Sequence, residues 1–389
     1  MQLDAIYSQL EAMLAPAGGG VHVVSTGVAE TRALQRRIYG LAAGAGQVSE
    51  NPDAAAAEDA IGAAWRAALR AVPRARVVIL GVPSDTGAGF TRGANRAPAI
   101  LRQALLTEPA HPIHDPAVID IGDVRVVPHL LADEMLSAAQ LGAARAALYP
   151  GRDDAEALPV SPLDMCARAL ELVRALNPEV VPVVIGGDHS VGWPAFATAL
   201  SHAEGGRGRR VGLLHFDAHT DLLPERLGVK YCFATWAYHA NELLGRDGRL
   251  VQVGIRASGR DRAHWEQTLG VRQYWPAELS ARSADDIADE IGARFAALGV
   301  DALYVSNDID GTDIAYAAAT GTPEPGGPPP ATITAITRRL AQRYPLIGAD
   351  LVEVAPPLAG ERPGEPARTL ATASAYLGDL ISAGLAASA

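Results

Sequence analysis

Three short segments of the chain place six side chains that bind divalent cations at close spacing. One is the histidine that ends Gly-Gly-Asp-His, and the others are the runs Asp-Ala-His-Thr-Asp and Asp-Ile-Asp. In an extended backbone successive side chains point to opposite faces, so residues at every second position converge on one point. Carboxylate oxygens with two imidazoles suit Mn²⁺, and Ni²⁺ or Fe²⁺ also fit such a mixed site. The candidate metal ligands are His189, Asp217, His219, Asp221, Asp308 and Asp310.

Four carboxylates and two imidazoles that are buried together need a compensating positive charge. Unpaired carboxylates repel one another and lose their hydration, which costs several kcal/mol per ion. Two divalent cations remove that cost. At roughly 3.5 to 4 Å apart, two cations also share a water molecule and lower its pKa, which gives hydroxide near neutral pH. The pattern therefore predicts a binuclear hydrolytic centre.

From about residue 75 onward, short apolar runs alternate with helical patterns rich in Ala, Leu and Arg. This alternation predicts repeated βα units around a parallel sheet, with helices on both faces. We expect strands at 76–80, 179–185, 211–216, 251–255, 302–306 and 346–354. We expect helices at 97–106, 163–176, 194–200, 284–298, 332–344 and 369–385. Each candidate ligand then falls at or just after the carboxyl end of a strand, where open α/β sheets bind ligands.

The first 74 residues have a different pattern. Apolar residues recur with helical spacing in 3–14 and again in 61–69. We expect a helical N-terminal extension at 1–74 that packs on the core or on a neighbouring subunit, followed by one catalytic domain at 75–389. A mobile tail is the weaker reading, because it would leave Trp65 exposed.

Composition excludes several classes of protein. With 389 residues, 49% of them hydrophobic, the chain is long enough to bury a large core. Its net charge is −11, and its Lys and Arg residues are scattered and form no basic stripe, so we expect no nucleic-acid partner. Residues 1–4 lack the basic start of an export signal, and no uncharged apolar run approaches the roughly 20 residues that cross a bilayer. Two distant cysteines, Cys166 and Cys232, suit a reducing cytosol, so we expect a soluble cytoplasmic protein.

In this order the three segments resemble those of the ureohydrolase family, which includes arginases and agmatinases. The resemblance extends over further motifs: Gly81-Val-Pro-Ser-Asp85, Arg92-Gly-Ala, Asp120-Ile-Gly-Asp-Val124, Gly186-Gly-Asp-His-Ser190, Gln252-Val-Gly-Ile-Arg256 and Glu353-Val. It implies a three-layer α/β/α arginase-like fold with a central, mostly parallel sheet. It also implies two bridged metal ions and hydrolysis of a guanidino group to urea and an amine.

The resemblance implies a role for each side chain. The ligands of one metal ion match His189, Asp217, Asp221 and Asp308. Those of the other match Asp217, His219, Asp308 and Asp310, so that Asp217 and Asp308 bridge. Asp221 is also expected to carry a proton from the bridging water to the departing nitrogen. Glu353 matches the glutamate that binds the guanidinium group and fixes its plane.

The chain departs from the family pattern at one position. Most agmatinases and arginases have a His-Gly pair some way after the Asp-Ala-His-Thr-Asp run, and here Cys232 stands where the histidine is expected. A thiol does not relay protons near pH 7 unless its pKa is tuned. Either His239 replaces the missing histidine from nearby, or Asp221 and solvent suffice. For His215, a hydrogen-bonded core histidine is favoured over a metal ligand.

Aromatic residues follow the second motif and bear on substrate size. Tyr231, Phe233 and Trp236 are predicted to form a wall that favours a small or alkylated guanidine and accepts cations, although they also suit a core position under the loop. Polar residues in the flanking loops supply further contacts. The candidate substrate contacts are Glu353, Tyr231, Cys232, Trp236, Thr91 and Asn241.

Three functional hypotheses remain open. The first is hydrolysis of free guanidine or of an alkylated guanidine, as in the nickel-dependent guanidine hydrolases and the metformin hydrolases that the chain most resembles. The second is hydrolysis of a substrate with a longer tail, such as agmatine or guanidinobutyrate. The third is a non-catalytic subunit that supports a related active subunit. The resemblance implies a homo-oligomer, a trimer or a hexamer, with Ni²⁺ or Mn²⁺ as the cofactor.

Overall fold

The structure is a computed structural model that describes residues 2–21, 27–41 and 53–387. The strands in these ranges are β1 (Leu14–Ala15), β2 (Val77–Gly81), β3 (Val118–Val124), β4 (Val181–Ile185), β5 (Val211–Phe216), β6 (Leu250–Val253), β7 (Arg272–Tyr274), β8 (Ala302–Asp308) and β9 (Leu346–Val352). The helices there are α1 (Leu3–Met13), α2 (Val28–Ile38), α3 (Asp53–Ala71), α4 (Ala97–Leu105), α5 (Ala138–Leu148), α6 (Pro162–Leu176), α7 (Gly192–Leu200), α8 (Trp236–Leu243), α9 (Arg262–Leu269), α10 (Pro276–Ala281), α11 (Ala284–Ala297), α12 (Pro330–Arg343) and α13 (Ala367–Ala387).

All of these strands join one sheet in the order β1-β3-β2-β4-β9-β8-β5-β6-β7. Only the pair β1 and β3 is antiparallel among the described strands, and the other pairs are parallel. Successive side chains of a strand enter opposite layers: Val78 and Leu80 lie in one hydrophobic cluster, and Val77 and Ile79 lie in the other. The predicted α/β fold with a central, mostly parallel sheet is confirmed.

The four strands that carry the candidate site are neighbours at the centre of this sheet, in the order β4, β9, β8 and β5. Residues of β4, β5 and β8 are buried throughout, because helices cover both faces. Parallel strands end at the same edge of a sheet, so the loops that follow these four strands meet. Their apolar sequences are therefore what brings the polar loop residues together.

The N-terminal segment shares the core of the rest of the chain. Strand β1 pairs with β3, which places Leu14 opposite Val124. The indole of Trp65 on α3 donates a hydrogen bond to the carbonyl of Ile121 at 2.9 Å. The backbone N–H of Gly18 donates to the buried carboxylate of Asp123 at 2.7 Å. The domain boundary at residue 74 stays a prediction.

Helix α13 is long and apolar enough to span a membrane by length and composition. Half of its apolar window is buried inside the molecule, where it packs on β4 and β9. Tyr376, Leu377 and Ile381 of this helix belong to the hydrophobic cluster on that face of the sheet. These contacts are those of a core helix.

Candidate metal centre

Three turns deliver the six predicted ligands to one place. His189 begins a short 3₁₀ turn after β4, and Asp217 to Asp221 follow β5 directly. Asp308 is the last residue of β8, and its carboxylate accepts the backbone N–H of Asp310 at 2.9 Å, which closes the turn after the strand. All of these residues are buried except His219, whose side chain is 27% exposed. The site is thus open on the His219 side.

Two glycines let these turns approach one another. A Cβ at Gly187 would collide with the carbonyl oxygen of Ser84, so a larger residue would push the turn of His189 away. A Cβ at Gly311 would lie 2.7 Å from the backbone nitrogen of Asp217. Glycine at these positions lets one backbone pack directly on another.

The ligand atoms form two groups that share one residue. Ligand atoms of His189, His215, Asp217 and Asp221 lie within 4.8 Å of one another, and so do those of Asp217, His219 and Asp310. The Nδ1 atom of His189 lies 3.1 Å from Asp308 and 3.3 Å from both Asp217 and Asp221. The Nδ1 atom of His219 lies 3.2 Å from Asp310 and 3.4 Å from Asp217.

The order of hydrogen bonds around His189 leaves one ring nitrogen available to a cation. The hydroxyls of Tyr304 and Ser306 donate to the carboxylate of Asp350 at 2.7 and 2.6 Å. Because its proton is committed to Asp350, the oxygen of Ser306 accepts from Nε2 of His189 at 2.9 Å. The imidazole therefore presents the lone pair of Nδ1 to the cluster, and this buried atom has no hydrogen-bond partner among the described residues.

A lone pair that faces three carboxylates is repulsive unless a cation lies between them. With no cation bound, a proton on Nδ1 takes that place: burial lowers the pKa of His189, but Asp217, Asp221 and Asp308 outweigh burial and hold it well above its usual value. Burial and the neighbouring carboxylate of Asp310 likewise hold the pKa of Asp308 well above its usual range. The cluster therefore has an excess of negative charge, and its donor set fits divalent cations.

A chain of oriented hydrogen bonds ends on Asp217. The indole N–H of Trp275, which can only donate, bonds to Oε1 of Gln273 at 3.0 Å, and the amide of Gln273 donates to Oε1 of Gln252 at 2.8 Å. The amide of Gln252 then donates to Nδ1 of His215 at 2.9 Å. His215 must therefore carry its proton on Nε2, which lies 2.9 Å from Oδ2 of Asp217. These hydrogen bonds suit a core histidine that orients Asp217, the role favoured from the sequence.

The indole of Trp236 holds the other end of the cluster. Its N–H donates to Oδ2 of Asp221 at 3.0 Å, and its ring lies 4.5 Å from that of His189. Asp221 has a left-handed backbone with φ of 51°, a conformation that costs a residue other than glycine about 1 to 3 kcal/mol. The buried indole is one of the contacts that fix this strained turn.

Glu353 stands directly after β9, also with a left-handed φ of 61°. Oε1 of its buried carboxylate accepts the backbone N–H of His189 at 2.9 Å, whereas Oε2 accepts no hydrogen bond among the described residues. Burial and the nearby Asp188 raise the pKa of Glu353 well above its usual value. A carboxylate in this position is ready to bind a cation beside the metal cluster.

Comparison with known proteins agrees with this geometry. A model of the arginase family matches residues 75–380. The chain belongs to the arginase family. The mitochondrial guanidino acid hydrolase of Homo sapiens is 32% identical over 282 residues, which cover 72% of this chain and 71% of the relative. The guanidinobutyrase of Pseudomonas aeruginosa is 31% identical over 289 residues, covering 72% of this chain and 78% of the relative.

A solved structure is similar over most of the chain. The proclavaminate amidino hydrolase from Streptomyces clavuligerus superimposes with a TM-score of 0.62 at 25% identity, covering 81% of this chain and 94% of that one. Arginase family members bind a binuclear divalent metal centre, with which the cluster of His and Asp residues is compatible. They hydrolyse C–N bonds of guanidino compounds, so this chain is a hydrolase of that class.

One predicted catalytic residue of this arginase family member, His239, lies away from the cluster of metal ligands. His239 is half-buried, its Nε2 lies 3.1 Å from the carbonyl of Lys230, and its ring packs on Trp193 and Tyr231. The structure does not bring His239 to the ligands, because its ring packs on Trp193 and Tyr231, and its catalytic role stays a prediction. The alternative in which Asp221 and solvent move the proton stays a prediction.

Two predicted substrate contacts pack elsewhere, and a third lies beneath the ligands. Asn241 is buried, and its amide donates to the carbonyl of Leu269 at the end of α9. Tyr231 stacks on Trp193 with ring centroids 4.8 Å apart. Trp236 is fully buried under the ligands, so it supports them and is not part of a substrate wall. Trp236 thus points inward and Tyr231 packs on α7, as suits the core position that the sequence left open, and the aromatic wall stays a prediction.

Cys232 and Thr91 do lie near the cluster. Burial raises the pKa of Cys232, and the carboxylates of Asp221 and Asp188 add to the effect, so the thiol stays protonated near neutral pH. The carbonyl of Thr91 lies beside Gly321, which in turn adjoins Oε2 of Glu353. The loop of Thr91 therefore borders the pocket of Glu353.

Sequence reasoning missed the residues that orient the ligands. Gln252, Gln273, Ser306 and Asp350 are fully buried, and all but Gln273 stand in a mostly apolar strand. Thr322, from the loop rich in Gly and Pro, donates to Oδ2 of Asp310 at 2.9 Å. The available signal was a polar residue within a strand that packs on both faces, since such a residue needs a partner.

Proposed function

We propose that this chain is a binuclear-metal hydrolase of a small guanidino compound: free guanidine, an alkylated guanidine, or a biguanide such as metformin. The products are urea or a urea derivative and ammonia or an amine. The observation that carries the proposal is the buried carboxylate of Glu353, which is held beside the cluster with Oε2 available. A guanidinium group satisfies such a carboxylate with paired N–H donors.

We assign the ligands as the two groups of atoms suggest. His189 and Asp221 would hold one cation, and His219 and Asp310 the other. Asp217 belongs to both groups, and the family resemblance implies that Asp308, which lies 3.1 Å from Nδ1 of His189, would be shared as well. Mn²⁺ or Ni²⁺ suits this mixture of carboxylates and imidazoles. When bound, two such ions supply hydroxide at neutral pH and stabilise the charge that develops during attack.

The side chains of the protein position the substrate and move the proton. Glu353 fixes the plane of the guanidinium group, so that its carbon faces the attacking oxygen. Oδ2 of Asp221 is engaged by the indole of Trp236, so Oδ1 is the oxygen that carries the proton to the departing nitrogen. The reaction balances: a guanidinium ion and one water give urea and one ammonium ion.

Two loops beside the pocket of Glu353 are held together, which favours a small substrate. The backbone N–H of Phe233 donates to the carbonyl of Gly87 at 3.1 Å, and the N–H of Gly87 donates to Asp188 at 3.0 Å. The ring of Phe233 lies against Gly89. These contacts join the two loops beside the pocket of Glu353 and leave an apolar edge there.

The alternative is a substrate with a tail, such as agmatine or guanidinobutyrate. Two relatives at about 31 to 32% identity are named for guanidino acids. Arg92 is exposed in the loop that borders the pocket, where its guanidinium could pair with a substrate carboxylate. This alternative predicts that an Arg92→Gln variant loses activity on guanidinobutyrate and keeps activity on guanidine.

The test measures urea release from guanidine, agmatine, arginine and guanidinobutyrate. For metformin, it measures the formation of the expected product, guanylurea. The metal-loaded chain should turn over guanidine or metformin faster than the tailed substrates. Glu353→Gln should lose at least about a hundredfold in kcat/KM, since it loses a charge-assisted contact, whereas the exposed Glu361→Gln should not. Greater activity on a tailed substrate overturns the small-substrate proposal. No activity on any substrate favours the non-catalytic subunit.

We also propose that the chain forms a homo-oligomer, a trimer or a hexamer, and that a related subunit is not needed for activity. Mass photometry of the purified chain tests the assembly. A monomer that is fully active would contradict it.

A further inference from the structure

A polar cavity of about 570 Å³ lies where the N-terminal helix meets the end of β3. Its walls come from α1, the last turn of α3, the residue after β3 and the segment that follows α5. The ionisable residues that line it are Asp4, Tyr7, Glu11, Arg70, Arg125 and Arg152, with the phenol of Tyr149 beside them. No predicted metal or substrate residue lines this cavity.

Arg125 is the residue that gives the cavity its chemistry. Arg125 is partly buried, and burial lowers the pKa of its guanidinium, an effect that the phenol of Tyr149 opposes. Within the described ranges the guanidinium makes no ion pair and no hydrogen bond, although its backbone N–H donates to Met13 at 2.8 Å. A guanidinium has five N–H donors, and removing it from water without an anion costs free energy. An anion in the cavity would offset that cost.

The other charges of the cavity are arranged around Arg125. Arg152 is occupied, because it donates twice to Asp154 and once to Ser8. Arg70 is exposed and lies 5.8 Å from the ring of Tyr7, so it is available as a second cation. Two carboxylates, those of Asp4 and Glu11, also line the cavity. Asp4 is exposed and is therefore strongly screened by solvent, which leaves Glu11 as the main competing charge.

We propose that this cavity binds a small oxyanion, a phosphate or carboxylate group, with Arg125 as the principal partner and Arg70 as the second cation. Guanidinium forks bind both kinds of anion through paired hydrogen bonds. The ligand would contact α1, α3 and the end of β3 together. Its binding therefore ties the N-terminal segment to the catalytic core and raises the melting temperature.

The test is calorimetric titration of the full, metal-loaded chain with inorganic phosphate and, separately, with succinate at constant ionic strength. At least one of them should bind saturably in a manner that depends on Arg125. Arg125→Gln should weaken that binding about tenfold or more, as expected for a lost hydrogen bond to a charged group. The exposed Arg339→Gln, whose partner is Asp289, is the matched control and should bind as the parent does.

Two further variants keep the test decisive if Arg125→Gln does not fold. Arg125→Lys retains the charge but loses the fork, and it should weaken binding to a lesser extent. Glu11→Gln removes a competing negative charge, and it should tighten binding. Binding of phosphate alone assigns a phosphate-bearing ligand, and binding of succinate alone assigns a carboxylate. Affinities that are equal in the parent and in all Arg125 and Glu11 variants, or no saturable binding, overturn the proposal.

Discussion

At the residue scale, metal binding depends on which ring nitrogen of His189 and of His215 carries the proton. The proton of His189 is directed to Ser306, and that of His215 is directed to Asp217. In each case the direction is set by a donor outside the cluster, a hydroxyl or an amide. Because a cation binds only the deprotonated nitrogen, these donors control metal affinity as much as the ligands do.

Gln252→Leu should weaken metal binding up to about tenfold, the lower end of the loss when a ligand's own partner is removed, because Gln252 acts on Asp217 only through His215. Without the amide, Nδ1 of His215 has no donor, so neither the tautomer nor the orientation toward Asp217 is fixed. A competition titration with a chelator measures the change. Gln267→Leu, at an exposed position on α9, is the matched control. Equal metal affinities in the parent and in Gln252→Leu would show that the hydrogen-bonded amides do not contribute to metal binding.

Trp236→Phe keeps an aromatic ring against His189 and loses only the N–H donated to Asp221. A lost hydrogen bond to a charged group is worth about 1.5 to 3 kcal/mol, so kcat/KM for urea release should fall about tenfold or more. Trp193→Phe, whose ring packs on Tyr231 outside the cluster, should retain the parent rate. A Trp236→Phe enzyme with unchanged kcat/KM would show that Asp221 needs no such support.

At the scale of elements, the turns between strands and helices carry the strain of the site. Gly187→Ala would force a methyl group into the carbonyl of Ser84, so we expect a loss of about 3 kcal/mol or more in the free energy of unfolding, or no soluble protein. Gly142→Ala is the control, because that glycine lies within α5 with open space around it. It should stabilise the chain by up to about 1 kcal/mol. Urea denaturation compares the two, and equal midpoints would contradict the close packing.

Long apolar strands and amphipathic helices were predictable, and polar or short elements were not. Strand β5 was predicted at its observed bounds, because Val211 to Phe216 is apolar and bounded by charges. Strand β3 was not predicted, because Asp120 and Asp123 interrupt its apolar sequence. These aspartates are buried by pairing with Arg102, a contact between residues distant in sequence. Strand β7, three residues long, gives no periodic signal.

The same limit applies to the site. Spacing alone predicts that the six ligands converge, because side chains at the ends of neighbouring parallel strands lie close together. It could not show that Trp236 packs on His189 while His239 packs on Trp193 and Tyr231, since helix α8 was not predicted. Nor could it find Gln273 or Trp275, whose role exists only through contacts with Gln252 across the sheet.

For the whole molecule, pH should affect stability through His111, which joins the segment before β3 to α13. Its Nδ1 accepts the N–H of Ile113 and its Nε2 lies 3.2 Å from the carbonyl of Ser374, so the folded state holds the neutral ring. Burial lowers the pKa of His111 below its usual value. The unfolded chain then binds the proton first as pH falls, and stability that is present above about pH 6.5 is lost through the folded pKa.

His111→Gln should therefore show a smaller decrease in melting temperature between pH 7 and pH 5 than the parent does. Comparing the slopes of the two chains isolates this histidine from the others, which are unchanged. Parallel slopes would mean that the buried ring does not contribute to acid sensitivity.

The central claim is that two cations bind where six side chains converge. The most direct measurement is the metal content of the purified chain, after loading with Mn²⁺ or Ni²⁺ and dialysis, by inductively coupled plasma mass spectrometry. We predict two equivalents per chain, and fewer in Asp308→Asn, whose lost carboxylate is shared by both ions. One equivalent or none in a parent chain with native circular dichroism would contradict the account.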